Sequence, residues 1–300
     1  MREKIGTLGA GAEHGRKPLA ARIAAALAGL FLLLSAAPMG ATDLKPVTVQ
    51  AWDAYIQIIK ATTTSRAAGS SPFLSVDEPT DLAPRLRGGE IVVVNNDPHD
   101  VPHGLIHDWV GTMFLPNVTL DQVVGVLGDY DHYSDFYKPF VAKSAVLERN
   151  GDDETVTLVM VQRAFSVTAA VETDNDVRIV RVDANRAYVV SNAVRVQEIA
   201  DYGEPNEHVY PEDQRPGYIW REVGVTRLEQ RDGGVYVEIE TIALSRGIPW
   251  AFRWLIEPLT NKLPREIMMK TLTDTRDAVN AAKESAPNSG QNVAQNRAHP

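Results

Sequence analysis

The feature that most constrains the fold is a succession of strand-like segments followed by a single long helical segment. The strand-like segments read SAVLER, TVTLVMVQ, FSVTAAVET, VRIVRVD, YVVSNAVRVQE, YIWREVGVTRLEQ and VYVEIETIALS. Polar turns such as NGDD, DND, DAN and DGG separate most of them, as successive antiparallel hairpins require. Helical periodicity begins after SRGIP, and Pro258 is expected to divide a short helix from a long one over residues 262–283. One long helix across an antiparallel sheet of about six or seven strands is an α+β arrangement.

A strand and two short helices precede this sheet. The segment GLIHDWVGTMFLP is predicted to be a strand that ends at Pro116. Thr119 and Gln122 have the spacing of a capping box, which opens an apolar helix that stops at Gly128. The stretch DYDHYSDFYKPF predicts a second short helix, which ends at Pro139. The chain order is therefore strand, two short helices, antiparallel sheet and long helix.

This order of elements resembles the START-like, or SRPBCC, superfamily of lipid-transfer domains and polyketide cyclases. The residues that carry the resemblance are TLDQVVGVLGDYDHYSDFYKPFVAKSAVLERNGD, DGGVYVEIETIALSRGIP and LPREIMMKTLTDTRDAV. The resemblance covers residues 103–283 and implies a helix-grip fold. A curved antiparallel sheet then wraps around the long C-terminal helix, and an apolar cavity lies between them.

Four segments are expected along the chain. Residues 1–41 carry basic residues and then the uncharged run IAAALAGLFLLLSAAPMGA, which is typical of a secretory signal peptide cleaved after Ala41. An uncleaved membrane anchor is the alternative. Residues 42–100 are interpreted as an N-terminal extension of one helix and one strand, residues 101–283 as the helix-grip domain, and residues 284–300 as a disordered tail. The protein is accordingly expected to be exported, either periplasmic or secreted.

Composition and charge argue against several function classes. Cysteine is absent, so there is no disulfide framework and no cysteine-ligated metal. The formal net charge is −9 and no basic run follows the predicted signal, so no nucleic-acid partner is expected. The sequence lacks a G-x-S-x-G elbow, a GxGxxG motif and a P-loop, and we assign no catalytic residue and no cofactor.

Three histidines stand at regular spacing before and inside the first long strand. His99, His103 and His107 are four residues apart and have acidic neighbours. The intervening proline and glycine argue against a helix, and on a strand successive imidazoles would be about 13 Å apart. We therefore predict no metal site. His107, together with Trp109, is expected instead to contact a ligand inside the cavity.

The long helix presents one sector that mixes apolar, small and weakly polar side chains. Its members are Ile267, Met268, Thr271, Leu272, Thr275, Ala278, Val279 and Ala282. A tightly filled core would favour larger side chains, so this face is predicted to line the cavity. Ile267, Met268, Thr271 and Thr275 are assigned as ligand contacts. The alternative is close packing, with each threonine hydrogen-bonded to its own helix.

An aromatic stripe follows the second short helix. Tyr130, Tyr133, Phe136 and Tyr137 recur at steps of three and four residues. In the resembled fold the short helices cover one mouth of the cavity, so Tyr133, Phe136 and Tyr137 are expected to contact the ligand. A plain core stripe is the alternative. Arg221 is expected to project inward and to pair with a ligand carboxylate or a buried acid.

The strand VYVEIETIALS alternates between two faces. Val235, Val237, Ile239, Thr241 and Ala243 are predicted to face inward. The carboxylates of these strands, Glu222, Glu238 and Glu240, are interpreted as solvent-facing.

These patterns favour an exported binding or carrier protein for an apolar small molecule such as a lipid, sterol, quinone or polyketide. Transient membrane contact during ligand transfer is part of this prediction. The alternative is a cyclase- or aromatase-like enzyme that acts on a hydrophobic substrate in the same cavity. His107, Tyr133 and Arg221 are then the first residues to test. A third possibility is an interaction module whose cavity is filled by its own side chains.

Overall fold

The structure is a computed structural model. It describes residues 44–78, 81–96, 99–164, 167–211, 219–247 and 250–285, with the backbone alone at 164, 167 and 250–261. The predicted signal segment 1–41 and most of the predicted tail lie outside the described residues. Residues 284 and 285 belong to the last helix, so this helix extends beyond its predicted end at residue 283.

The described elements follow the predicted order. The helices are α1 (Pro46–Ala67), α2 (Leu82–Arg87), α3 (Leu120–Leu127), α4 (Tyr133–Phe136) and α5 (Trp250–Ser285), with 3-10 turns at Ser75–Asp77 and Tyr130–His132. The strands are β1 (Val92–Asn95), β2 (His99–Val101), β3 (Gly104–Pro116), β4 (Val141–Asn150), β5 (Asp153–Ala164), β6 (Val167–Arg181), β7 (Arg186–Ala200), β8 (His208–Val209), β9 (Arg221–Arg231) and β10 (Gly234–Arg246).

The described strands form one antiparallel sheet. Its order is β1-β3-β10-β9-β7-β6-β5-β4, with β2 paired to β3 and β8 paired to β7. The predicted α+β class and helix-grip arrangement are confirmed, because the long helix α5 and the short helices pack on one face of this sheet. We call that face the inner face, and the face that packs against α1 and α2 the outer face.

Strand register assigns each residue of the central strands to one of these faces. A Cβ atom built on Gly111 would come within 2.5 Å of Cγ of Met268 in α5, so Gly111 faces inward. Gly111 pairs with Ile239 of β10, which pairs with Thr226 of β9. Directly paired residues share a face. The inward alternation predicted for β10 is therefore confirmed.

The helix α1 covers the outer face at β3, β9 and β10. Trp52, Ile56 and Ile59 are buried against Ile106 of β3 and its neighbours on the adjacent strands. Pro46 occupies the first turn, where a missing backbone N–H costs nothing. The outer face is thus closed by the N-terminal segment, while α5 and the short helices cover the inner face.

Two predicted interruptions are absent from the structure. The segment DND was predicted to be a turn, but β6 runs through it without a break from Val167 to Arg181. Arg195 on the neighbouring strand β7 binds the Asp174 carboxylate with two hydrogen bonds and so supports the extended backbone there. Pro258 was predicted to separate two helices, but it lies within α5, which spans 36 residues. A proline removes one helical hydrogen bond and kinks a helix without having to end it.

The capping box predicted at the start of α3 is confirmed. The Gln122 backbone N–H donates to the Thr119 hydroxyl, and the Thr119 N–H donates to the Gln122 side chain. Among the described helices, none is long and apolar enough to cross a membrane.

Candidate ligand cavity

One cavity lies on the inner face beneath the short helices, and we call it the inner cavity. Its volume is about 120 Å³. Apolar side chains make up most of its wall, and amide and hydroxyl groups interrupt that wall at a few points. Its lining residues are Leu127, Tyr130, Tyr133, Val156, Leu158, Asn175, Val177, Val189, Ser191 and Thr226. This combination is typical of a site that holds an apolar ligand and orients it through a few polar contacts.

The roof of the inner cavity is a row of tyrosines. Tyr133 lies between Tyr130 and Tyr137, with ring centroids 4.8 Å away on both sides, in a tilted contact with Tyr130 and an edge-to-face contact with Tyr137. The Tyr133 hydroxyl donates a hydrogen bond of 2.6 Å to the carbonyl of Leu127, which joins the row to the end of α3. Burial raises the pKa of the Tyr133 hydroxyl well above its usual value, so this group stays neutral. Phe136, the other member of the predicted stripe, packs partly buried against the core beneath α5.

A second cavity, the helix-side cavity, lies between α5 and the α4–β4 connection. Its volume is about 220 Å³. It is lined by Tyr137, Phe140, Gln162, Leu263, Glu266, Ile267, Lys270, Thr271 and Asp274. Its wall carries more charge than that of the inner cavity, and Lys270 and Asp274 form an ion pair across one helical turn. Of the helix residues predicted to contact the ligand, Ile267 and Thr271 line this cavity.

Tyr137 connects the roof to the long helix. Its hydroxyl lies 3.0 Å from the Thr275 hydroxyl, which in turn donates to the carbonyl of Thr271 at 2.8 Å. A hydroxyl has a single proton, so Tyr137 is the donor in its bond to Thr275. Burial raises the pKa of Tyr137 to about 12. Thr275 is therefore fully buried and bonded both to its own helix and to the roof, and it lines neither of the two cavities, so the close-packing alternative holds for this residue.

The sequence predicted a hollow beneath α5, but part of this helix packs directly against the sheet. At Gly111 the helix lies directly on β3, because Met268 and Leu272 fill the space that a side chain would take. Met268 and Trp109 are buried in this core, whereas Ala282 is exposed. Neither Met268 nor Leu272 lines either cavity, and each cavity is smaller than the roughly 300–1,000 Å³ of a typical small-molecule site.

Two residues, His107 and Arg221, were predicted to make polar contacts in the cavity, and the structure places them on opposite faces of the sheet. His107 faces inward, and its Nε2 lies 3.0 Å from the Ser245 hydroxyl. Burial lowers the pKa of His107, so its ring is neutral at pH 7. Arg221 pairs with Leu244, a residue of the core beneath α1. The register therefore places Arg221 on the outer face and does not bring it to the cavity.

The three regularly spaced histidines do not share one face of the sheet. His99 pairs with Ile106 on the outer face, and its ring lies 4.9 Å from that of Tyr55. A turn at His103, where φ is 60°, separates β2 from β3. Within the described residues, no group of three or more acidic or histidine side chains is arranged to hold a metal ion.

The interpretation of three glutamates as solvent-facing was wrong. Glu238 and Glu240 are buried on the outer face beneath α1, at 0 % and 7 % exposure. Both accept hydrogen bonds from the buried guanidinium of Arg227, at 3.1 Å from Nη1 and 2.8 Å from Nη2. Arg227 also donates to Thr63 of α1, and the backbone N–H and hydroxyl of Ser75 donate to Glu238. These contacts hold the N-terminal segment against the sheet.

Glu222 is the third glutamate, and it lies on the inner face. It pairs with Ala243, which pairs with His107, so the three form one row across β9, β10 and β3. Burial raises the pKa of the Glu222 carboxyl from 4.5 to about 7. Part of the side chain nevertheless remains accessible, as expected of a group that borders a concave wall. The sequence patterns had not singled out Glu222, Asn175, Ser191 or Thr226 as ligand contacts.

Comparisons with known proteins give similarities in structure alone. No family model matches the chain, and no curated protein matches it. The chain is similar to a STAR-related lipid transfer protein from Xanthomonas axonopodis, with a TM-score of 0.40 and 17% identity over 63% of this chain and 98% of that one. It is also similar to a protein from Thermus thermophilus, with a TM-score of 0.41 and 17% identity over 58% and 97% of the two chains. The Zhui aromatase/cyclase from a Streptomyces species gives a TM-score of 0.40 and 13% identity over 62% and 98%.

Proposed function

We propose that this protein binds an apolar small molecule in the inner cavity and acts as its carrier. The observation that carries the proposal is the wall of that cavity, where the side chains of Val156, Val177 and Val189 surround isolated polar groups. Each Å² of apolar ligand surface removed from water contributes about 25 cal/mol. A few hydroxyl and amide groups then suffice to orient the ligand.

The roof has to move when a larger ligand enters, because the cavity holds only about 120 Å³. The roof helix α4 has four residues, and few polar contacts hold it. They include the Tyr133 bond to Leu127, the Tyr137 bond to Thr275, and a bond from the Ser134 backbone N–H to the Ser144 hydroxyl. Displacement of Tyr137 would join the inner cavity to the helix-side cavity, since this ring lines the second and stacks on the roof of the first.

Cavity filling tests the location of the site. Ser191→Leu adds a branched side chain to the cavity wall, whereas Asn192→Leu adds the same side chain at the next, exposed position of β7. We expect Ser191→Leu to weaken binding of a fluorescent apolar probe and Asn192→Leu to leave it unchanged. Native mass spectrometry of the purified protein would identify a co-purifying ligand. If both variants bind the probe like the wild type, the ligand does not occupy this cavity.

Export is a second part of the proposal. The basic N-terminus and the uncharged run Ile23–Ala41 support secretion, and an apolar ligand needs a carrier in an aqueous compartment outside the cytoplasm. Fractionation of the producing cells and the mass of the mature protein test this directly. A full-length protein recovered from the membrane would indicate an anchor instead. Transient membrane contact is tested by whether the rate of ligand transfer rises with the concentration of acceptor vesicles.

An enzyme that transfers protons in the same cavity is the second candidate. It is favoured by Glu222, because a carboxyl whose pKa is about 7 exchanges protons readily at neutral pH. His107 lies on the same wall and is neutral there. The two functions differ in the fate of the ligand. A carrier returns the bound molecule unchanged, whereas an enzyme yields a product whose formation rate falls in Glu222→Gln while binding persists.

A further inference from the structure

The inner wall next to the cavity carries a carboxyl group whose polar atoms meet no partner in the described part of the chain. Among the described residues, no hydrogen bond or ion pair reaches the Glu222 side chain, and burial alone accounts for its raised pKa. On the outer face Glu238 and Glu240 share the guanidinium of Arg227. Part of the Glu222 side chain is accessible, and its oxygens are not among the buried atoms that lack a partner, so they are open to a hydrogen-bonding group of a bound ligand.

A path of small residues leads from the inner cavity to Glu222. Thr226 and Ser191 line the cavity, and Gly224 pairs with Ser191 on the same wall. A Cβ atom added to Gly224 would make ordinary contacts with Cβ of Ser191 at 3.8 Å and with the carbonyl oxygen of Glu240 at 4.0 Å, and both of these atoms belong to the sheet itself. Glu222 is the next inward-facing residue along β9, about 7 Å further on. A ligand that is longer than the cavity and extends along this path would bring its end to Glu222.

The cations of strand β9 are all on the other face. Arg221, Arg227 and Arg231 occupy odd-numbered positions of β9, which the register assigns to the outer face. Among the described strands, the titratable group beside Glu222 on the inner wall is His107, across Ala243, and this imidazole is neutral. The described wall immediately beside Glu222 therefore offers no positive charge to an anionic ligand.

Building on the ligand-binding function proposed above, we propose that the ligand is an uncharged apolar molecule that ends in a hydroxyl group, and that Glu222 selects against carboxylates. A hydroxyl group both donates and accepts hydrogen bonds. It can therefore satisfy the Glu222 carboxyl in its protonated form and in its ionised form, whereas a ketone oxygen can only accept. A carboxylate placed there would repel the ionised form and would find no cation on the described wall.

Three probes that differ in head group alone test this selectivity. Dodecanol, dodecanoate and dodecylamine are titrated against the full mature protein loaded with a fluorescent apolar probe, at pH 8. We expect dodecanol to displace the probe about tenfold more tightly than dodecanoate, because like charges in a cavity wall oppose each other. Glu222→Gln removes the charge at nearly constant shape, and we expect it to bring the acid to within about threefold of the alcohol. Glu229→Gln, the same substitution on the outer face of β9, serves as the matched control and keeps the discrimination.

The outcomes separate this inference from the function on which it rests. Displacement by all three compounds with equal affinity, or discrimination that persists in Glu222→Gln, refutes the selectivity while ligand binding stands. Dodecylamine binding more than about tenfold tighter than dodecanol shows a cationic ligand class and also overturns the proposal. If none of the three compounds displaces the probe, the proposed carrier function itself fails. The melting temperature of each variant shows whether it is folded.

Discussion

The two faces of strands β3, β9 and β10 bury polar groups in different ways. On the outer face α1 closes over Glu238 and Glu240, and each of these carboxylates is bound to Arg227. On the inner face the helix α5 is seated closely at Gly111, but the wall beyond this seat is hollow and carries the unpartnered Glu222 of the described strand β9. On the same strands, the buried carboxylates of Glu238 and Glu240 thus share a cation on the outer face, whereas the inward-facing carboxyl of Glu222 has none among the described residues.

This difference separates stability from binding. A buried charge with its partners removed costs several kcal/mol, so the outer face tolerates little change. A hollow wall with free hydrogen-bonding groups tolerates substitution better and offers those groups to a ligand. The comparison therefore predicts that substitutions on the outer face change the free energy of unfolding and that substitutions on the inner wall change affinity.

The largest effect is expected for Arg227→Met. This change leaves two buried carboxylates, those of Glu238 and Glu240, without the cation, and we expect a loss of about 3–5 kcal/mol in the free energy of unfolding. Urea denaturation measures it. Arg178→Met, which breaks an exposed ion pair with Asp153 on the outer face, is the control and is expected to cost less than about 1 kcal/mol. Equal losses in the two variants would show that the buried network is not special.

Two glycine substitutions compare the stability of the packed contact between α5 and β3 with that of the wall next to the inner cavity. We expect Gly111→Ala to lose about 1–3 kcal/mol, because the new methyl group displaces Met268 and Leu272. Gly224→Ala makes only ordinary contacts, the nearest at 3.8 Å from Cβ of Ser191, and is expected to be neutral or to gain up to about 1 kcal/mol from reduced chain entropy. Thermal unfolding of both variants provides the measurement. A large loss in Gly224→Ala would mean that the inner wall is packed and not hollow.

Glu222→Gln measures how much the unpartnered carboxyl lowers the free energy of unfolding, and this effect depends on pH. The pKa of Glu222 is about 7 in the folded protein and 4.5 without burial, so the unfolded chain ionises first as the pH rises. Wild-type stability is therefore expected to fall between pH 4.5 and pH 7 relative to the variant, by about 1–2 kcal/mol because partial exposure reduces the effect. Below pH 4.5 the carboxyl is protonated in both states and does not contribute. Parallel stability curves for the two proteins over this range would contradict the assignment.

The smallest effect is expected for Tyr137→Phe. It removes the hydrogen bond to Thr275 but leaves the ring in place, so we expect a loss of about 0.5–1 kcal/mol. The same change should speed ligand entry, because this bond joins the roof to α5. Stopped-flow binding of the fluorescent probe measures the rate. Tyr202→Phe, in an outer cluster away from the cavity, is the control and should leave the rate unchanged.

Much of the inner wall was predictable from the sequence. The turn of Asp232 and Gly233 pairs Arg231 with Gly234, and this register alone places Glu222 opposite Ala243. Combined with the alternation predicted for β10, it would have identified Glu222 as an inward-facing carboxyl. The lining residues Asn175 and Ser191 were harder to find, because β6 is polar on both faces around Asn175 and its register with β7 shifts between Asp174 and Asn175.

The cover on the outer face was not predictable in the same way. Glu238 and Glu240 alternate with apolar residues, which is the pattern of a strand with one solvated face. Their burial depends on Arg227 from the next strand and on Thr63 and Ser75 from the N-terminal segment, which are distant in sequence. Local periodicity contains no signal for such contacts. The size of the cavities could not be predicted from the sequence either, since it depends on how closely α5 approaches Gly111.

The docking of α1 also determines when this chain can finish folding. Thr63 meets Arg227 across 164 positions, and Ser75 meets Glu238 across 163. During synthesis α1 therefore cannot dock on the sheet until the last strands have been made. Until then Trp52 and its apolar neighbours remain exposed. A chaperone that protects this helix in the meantime would raise the yield of native protein more than one that acts on the late-made α5.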